Sequence, residues 1–384
     1  MSQHESSDPD YTRILSECIS GTFRQVIGVI RHDPSLLRTA VRIFSGQKRS
    51  SIRRADLAKE GIQVPAVVMI SPTHRCNLSC HGCYMHHLHP SPVPEMSGGE
   101  LLTLAQECRD LGVSFLVFAG GEPLVRKDDI LTLAEQVPDL PVAVFTNGLL
   151  INEPLATEMG RLKNIIPIIS IEGEKERTDA RRSDGVYDGV LHACSLLRKK
   201  KIFFGCSITV TRSNYSEVTK SSFIDQMIAT GCRLFLYVAY VPFADGTEDQ
   251  VLSADQHQDL NEFIAHFADR YPALSLGFPG DEERFGGCLS AGRGFLHVSP
   301  SGDLEPCPAA PFSDTNITRM PLKEALKSEF LARIREHHGI LTESGSGCAL
   351  WTQREWAESV LAGTINIPSG MHQEDRKVPG FFRE

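Results

Sequence analysis

Several features are missing from this chain, and each absence narrows what it can do. There is no basic excess. The formal charge is -9, which argues against nucleic acid as the main partner, because phosphate binding needs a basic surface. A local basic patch stays open. No uninterrupted apolar run approaches the length that spans a membrane. The N-terminus, Met1-Ser-Gln-His-Glu-Ser-Ser-Asp8, has neither a basic flank nor an apolar core, so no signal peptide is expected. Without an export signal, the eleven cysteines are expected as metal ligands or reduced thiols, in a reducing cytoplasm. Internal repeats and low-complexity segments are also lacking. What remains is 384 residues at 41% hydrophobic content, enough for one large globular domain with an appendage, or for two domains.

The strongest positive feature is Cys76-Asn-Leu-Ser-Cys80-His-Gly-Cys83, a C-x3-C-x2-C pattern. One tight loop can turn three thiolates toward a single point, so a shared metal centre is the natural reading. Zinc usually takes a fourth Cys or His and often splits its ligands into two distant pairs. Three cysteines without a fourth suit a cubane with one open iron. His81, His86, His87 or His89 would give zinc its fourth ligand, and that alternative stays open.

The first 64 residues read as helical, with apolar spacing at Ile14, Leu15, Cys18 and Ile19, then at Val26, Ile27 and Val29. A basic stretch follows at Lys48, Arg49, Arg53 and Arg54. Such a segment is either a helical pair packed on the main body or an amphipathic surface meeting a membrane or an apolar substrate. From residue 65 to about 250 strands and helices alternate. Apolar runs at 66–71, 114–119, 142–145, 165–171, 202–210 and 233–241 are read as strands. Helices are expected from a capping box at Ser97–Glu100 and at 128–137, 153–163, 188–200 and 221–230. Six alternating strands imply a parallel sheet with right-handed crossovers. Its glycine-rich and polar punctuation falls after the strands, where ligands gather in such sheets. The expected fold class is α/β, an open partial (β/α)6 barrel. From 251 to 384 a capped helix at Ser253–Gln256 leads into a smaller, irregular region. A β-hairpin is expected at 294–299 and 303–305, then a helix around 322–335, with Cys288, Cys307 and Cys348 marking the turns.

With Cys76, Cys80 and Cys83 after the first strand and Gly120-Gly121-Glu122-Pro123 after the second, the chain resembles the radical S-adenosylmethionine (SAM) superfamily. The resemblance covers roughly residues 65–245. It implies a [4Fe–4S] cluster on the three thiolates, whose open iron chelates the amino and carboxylate groups of SAM. Reductive cleavage of SAM would then yield a 5′-deoxyadenosyl radical that abstracts hydrogen from substrate. By the same resemblance Gly120, Gly121 and Glu122 receive the methionine amino group. Asn147, in Thr146-Asn147-Gly148, belongs to the floor of the SAM site. Ser170 and Glu172 lie near the ribose, and Arg182 pairs with the SAM carboxylate. Asn214 fits another recurrent position. Where many relatives carry an aromatic before the third cysteine this chain has Gly82, with Tyr84 just after Cys83, so Tyr84 is a candidate for the adenine side.

Cys288, Gly302 and Cys307 resemble the opening of the SPASM or shorter twitch domain found in the MoaA/PqqE-like branch. Only Cys348 follows, which implies one auxiliary cluster, with an open iron or a non-cysteine ligand, that binds substrate or carries electrons. Three buried thiols or a zinc site are the plain alternatives. Cys18, Cys108, Cys194, Cys206 and Cys232 read as packed small hydrophobes. His297 and His337-His338 draw no catalytic role, and Arg284, Glu282 and Glu283 read as solvated charge. The expected activity is hydrogen abstraction from a small molecule, with a peptide- or protein-modifying maturase as the alternative. A low-potential donor such as flavodoxin or ferredoxin is the implied electron source. Two readings from other classes are a SAM-binding iron–sulfur scaffold or electron carrier, and a zinc-stabilised binding protein.

Overall fold

The structure is a computed structural model describing residues 26–37, 40–41, 46–88, 93–278, 287–341 and 348–363. Cys18, His89, Glu282, Glu283 and Arg284 lie outside the described residues. Nine strands form one curled half-barrel sheet, β1 (Val67–Ile70), β2 (Phe115–Phe118), β3 (Val142–Thr146), β4 (Ile165–Ser170), β5 (Gly205–Val210), β6 (Leu234–Ala239), β7 (Leu274–Phe278), β8 (Phe295–Val298) and β9 (Leu304–Glu305). Their order is β7-β6-β5-β4-β3-β2-β1-β8-β9. Every pairing from β7 through β8 is parallel, and only β9 runs antiparallel to its neighbour.

All six expected strands are present in the expected order. Two features extend them. β7 adds a seventh parallel strand beside β6, in the irregular region after the capped helix where the sequence analysis places no strand. The expected hairpin forms as β8 and β9, and β8 pairs in parallel with β1 through Val67↔Phe295 to Ile70↔Val298. Cys307 is thereby carried to the edge of the same sheet that carries the cluster loop.

Strand residues alternate faces with period two, and the burial pattern sorts them cleanly. Val68, Ile70, Leu116, Val142, Val144, Ile208, Leu296 and Val298 pack outward against the helices in the main core. Ile166, Ile168 and Leu236 pack with Phe115, Ala143 and Phe145 on the inner face and plug the amino-terminal half of the lumen. The carboxyl-terminal half of that inner face is polar, with Ser71, Ser170, Thr209, Tyr240, His297 and Glu305. An apolar plug below and polar groups above make the upper lumen the place for a ligand.

The helices end where their chemistry dictates. Ser97 and Glu100 form a complete capping box on Gly98–Leu111, which stops at Gly112 with φ 92°. Ser253 and Gln256 repeat the device on Ala254–Ala265. A helix absent from the sequence analysis, Lys175–Arg182, follows β4. Helical residues near 26–32 bring Val26 and Val29 against Leu274, Phe203 and Leu234 at the β6–β7 end of the sheet, together with Leu36. For the described part of the N-terminal segment this is the packed arrangement of the two expected. Among the described residues no helix is long and apolar enough to cross a membrane.

Candidate functional site

The loop from β1 carries Cys76, Cys80 and Cys83 as free thiols, the first exposed and the other two half-buried. Burial raises the Cys76 and Cys80 thiols above their ordinary range; Cys76 also feels Cys80 and Cys83, while at Cys80 the Arg182 charge pulls the other way and Cys83 adds to the rise. The thiols face one another without being closed on a common point. Among the described residues no three His, Cys, Asp or Glu side chains stand at metal-coordinating geometry. The donor set still fits an iron–sulfur cluster with one non-protein position. Three thiols share one loop, none is spent in a disulfide, and no fourth cysteine lies in that loop.

Two polar arms hold this loop against the strand ends. In the first, Asn147 Nδ2 donates to Asn77 Oδ1 at 2.7 Å, while the Asn147 backbone N–H donates to Glu122 Oε2 at 2.8 Å. Glu122 Oε1 also accepts from Thr146 Oγ1 and the Leu124 N–H. Both carboxylate oxygens of Glu122 are thus engaged within the protein, and burial pushes its carboxyl up. The glycines before it serve close approach. A Cβ on Gly121 would fall 2.3 Å from the Arg75 carbonyl oxygen, and one on Gly120, where φ is +107°, would fall 2.8 Å from Ser71. Gly121 and Glu122 donate their N–H groups to the Thr73 and Arg75 carbonyls, clasping the two loops together.

The second arm starts at Glu172, buried at the end of β4. Its Oε1 accepts from Arg181 at 2.7 Å and from Arg182 at 2.5 and 2.9 Å, and its Oε2 accepts from the Thr209 N–H. The remaining Arg182 nitrogen reaches Cys80 Sγ at 3.9 Å. Arg181 grips the loop from the other side, accepting the His81 N–H at its carbonyl and donating to the His81 carbonyl through Nε. Asn214 bridges Glu172 O and Thr209 O. Ser170 ends β4 beside these groups, half-buried. Glu172 is therefore the buried counter-charge of a half-buried arginine pair. Arg181 is a site residue that the sequence analysis, which names only Arg182, passes over.

Gly82 has a physical reason. Its φ is +67°, and a Cβ there would fall 2.6 Å from the Tyr240 hydroxyl. Tyr240, at the end of β6, is buried and its hydroxyl has no hydrogen-bond partner. It fills the place left empty at Gly82, and sequence reasoning misses it because nothing local marks it. Tyr84 lies on the other side of the loop, its hydroxyl buried beside Cys83, Ser71 and Cys307. From Tyr84 an aromatic row runs through Phe243 (6.2 Å) to Trp351 (4.8 Å), just beyond Cys348. His86 and His87 are exposed on the short helix after Cys83.

The C-terminal cysteines come together from three separate segments. Cys288, Cys307 and Cys348 are half-buried, and none of them is in a disulfide. The Cys307 thiol is raised well above its ordinary range by burial, with further contributions from Cys348 and Cys288. This trio fits a second cluster by the same donor chemistry. By contrast Cys108, Cys194, Cys206 and Cys232 are fully buried in the main core, and burial pushes Cys194 up to about 12. The structure also reveals a polar row that sequence reasoning passes over. His297 Nδ1 lies 2.6 Å from Glu305 Oε2 and its Nε2 lies 2.8 Å from Ser71 Oγ.

Comparison with known proteins agrees with this geometry. Residues 70–219 match the profile of the radical SAM superfamily. An AdoMet-dependent heme synthase of Methanosarcina barkeri is 28% identical over 303 residues, 71% of this chain and 85% of that protein. Mycofactocin maturase MftC of Mycolicibacterium smegmatis is 25% identical over 269 residues, 67% of this chain and 68% of that protein. Among solved structures, Streptococcus suis SuiB bound to S-adenosylmethionine shares the fold. Its TM-score is 0.64 at 17% identity, over 81% of this chain and 78% of that one. The cysteine loop, the strand-end motifs, the half-barrel and the match over residues 70–219 thus all point to similarity with the radical SAM superfamily.

Proposed function

We propose that this protein takes a hydrogen atom from a small-molecule substrate held in the upper lumen, between the two cysteine trios. The cofactors of the radical SAM superfamily, which residues 70–219 match, are a [4Fe–4S] cluster and SAM. Bound together they supply a 5′-deoxyadenosyl radical. Cys76, Cys80 and Cys83 hold the cluster, and the two polar arms keep their loop in place. The main chain at Gly120 and Gly121 comes close enough to receive the methionine ammonium, with Glu122 fixing that loop and lending negative charge. Asn147 supports the floor of the pocket. Ser170 and the Glu172–Arg182 pair border the ribose and carboxylate side, and Tyr84 and Tyr240 wall the cluster loop. Cys288, Cys307 and Cys348 hold an auxiliary cluster that binds substrate or carries electrons. A flavodoxin or ferredoxin supplies the reducing electron.

The observation that supports this reading most is convergence. Cys83 and Cys307, 224 positions apart in the numbering, both lie beside the Tyr84 hydroxyl. A small-molecule substrate is favoured by the relatives named as heme synthases. A peptide substrate is the second reading, favoured by the relatives named as mycofactocin maturase and as a subtilosin biosynthesis protein. The test is anaerobic reconstitution followed by dithionite and SAM. 5′-Deoxyadenosine is expected, and Cys80→Ala should abolish it. SAM binding without cleavage would leave only a scaffold or electron carrier, and zinc without iron–sulfur absorption would overturn the assignment. Deuterium transferred to 5′-deoxyadenosine from labelled small molecules or peptides then decides between the two substrate classes.

A further inference from the structure

Two phenols flank the cluster loop, and the chain satisfies only one of them. Tyr84 has Ser71 Oγ and the Gly120 main chain within reach of its hydroxyl. Tyr240 is 3% exposed, and among the described residues its hydroxyl has no hydrogen-bond partner. It follows β6, where side chains alternate faces, so it shares the inner face with Leu236 of the apolar plug. Its main-chain N–H donates to the Val210 carbonyl at 2.9 Å, which fixes where the ring enters the lumen. The hydroxyl end of that ring is what meets the loop. A Cβ on Gly82 would fall 2.6 Å from Tyr240 Oη, 3.0 Å from Cε2 and 3.2 Å from Cζ. Gly82 lies between Cys80 and Cys83, so the O–H is delivered into the three-thiol loop. A hydroxyl buried without a partner is costly, and a phenylalanine would fill the same space without that cost. The phenol calls for an acceptor that arrives with a ligand, and the acceptors that belong to this loop are sulfurs.

We propose that Tyr240 donates its O–H to a sulfur of the cluster held by Cys76, Cys80 and Cys83, and thereby raises the reduction potential of that cluster. The inference rests on the proposed reading for the presence of the cluster. Reduction adds one electron, and so one negative charge, to the iron–sulfur group. A donated O–H stabilises the more negative form more strongly, and hydrogen bonds to the sulfurs are among the groups that set such a potential. The phenol stays neutral throughout, and its O–H bond is not broken. Arg182 already sends one donor to Cys80 Sγ at 3.9 Å. Tyr240 supplies a second from a different strand, at the loop position where the lack of a side chain lets it in.

A redox titration of the anaerobically reconstituted full chain, followed by electron paramagnetic resonance, tests it by comparing wild type with Tyr240→Phe. The signal that added SAM perturbs identifies the cluster of the first trio. Read without SAM, the midpoint of that cluster should move to a more negative potential in Tyr240→Phe, while any signal that SAM leaves alone keeps its midpoint. Gly82→Ala, whose methyl would push the hydroxyl away from the loop, should move the midpoint in the same direction. The unloaded protein gives a second readout. There Tyr240→Phe should unfold thermally at the wild-type temperature or above it, because the ring packing is kept and no hydrogen bond is lost. An unchanged midpoint in Tyr240→Phe overturns the proposal, and so does a lower unfolding temperature of the unloaded variant, which would reveal a partner within the chain. SAM binding weakened at least tenfold by equilibrium dialysis, with the midpoint unmoved, would make SAM the acceptor and overturn it as well. A wild type without any SAM-perturbed signal overturns the cluster reading and this proposal with it, whereas the other adverse results overturn the proposal alone.

Discussion

The two cysteine trios are assembled by opposite routes. Cys76, Cys80 and Cys83 sit within eight residues on one loop, with one thiol exposed and two half-buried. Their geometry depends on side chains outside the loop, through Asn147 to Asn77 and through Arg181 to His81. Cys288, Cys307 and Cys348 are scattered over three segments and meet only because β8 pairs with β1 and β9 turns back from it. The first site is local in sequence and has to be braced. The second is built by the topology, and its central thiol is buried.

That difference can be broken by mutation, and the effects should be graded. The largest should come from Glu172→Gln, which leaves Arg181 and Arg182 without their buried counter-charge. Breaking a buried pair of this kind costs about 3 kcal/mol or more, read as a lower unfolding midpoint in denaturant. The same change should loosen the first trio, read as lost cluster absorption, while the iron held by the second trio persists. Gly121→Ala should act on the first site alone. Its new methyl would meet the Arg75 carbonyl, and SAM affinity by equilibrium dialysis should fall by about tenfold, roughly 1.4 kcal/mol. Gly82→Ala, pressed against Tyr240 at a positive φ, should destabilise by about 1–2 kcal/mol, visible as a shift of the thermal unfolding midpoint. Cys108→Ala should have the smallest effect, about 1 kcal/mol of stability with iron content unchanged, since that thiol packs in the main core.

The same contrast explains what the sequence makes legible. The cysteine loop, the strand-end motifs and the six core strands are local patterns, and each is found where the pattern places it. Capping boxes at Ser97 and Ser253 mark their helices to the residue because the cap is a four-residue device. The groups that are missed act across the sheet. Tyr240 matters because Gly82 leaves room for it. Arg181 matters because its neighbour Arg182 and Glu172 fix it beside His81. His297 reads as an ordinary alternating strand residue until β8 docks on β1 and brings it to Ser71. β7 escapes notice because Leu276 and Phe278 stay exposed, so the run lacks the buried alternation that marks the other strands.

The central claim is that the two trios are separate centres facing one lumen. Iron analysis of a Cys76→Ala, Cys80→Ala, Cys83→Ala triple variant, reconstituted anaerobically, tests it most directly. The account predicts that one cluster, about four irons per chain at most, remains on Cys288, Cys307 and Cys348. A folded variant that holds no iron would contradict it.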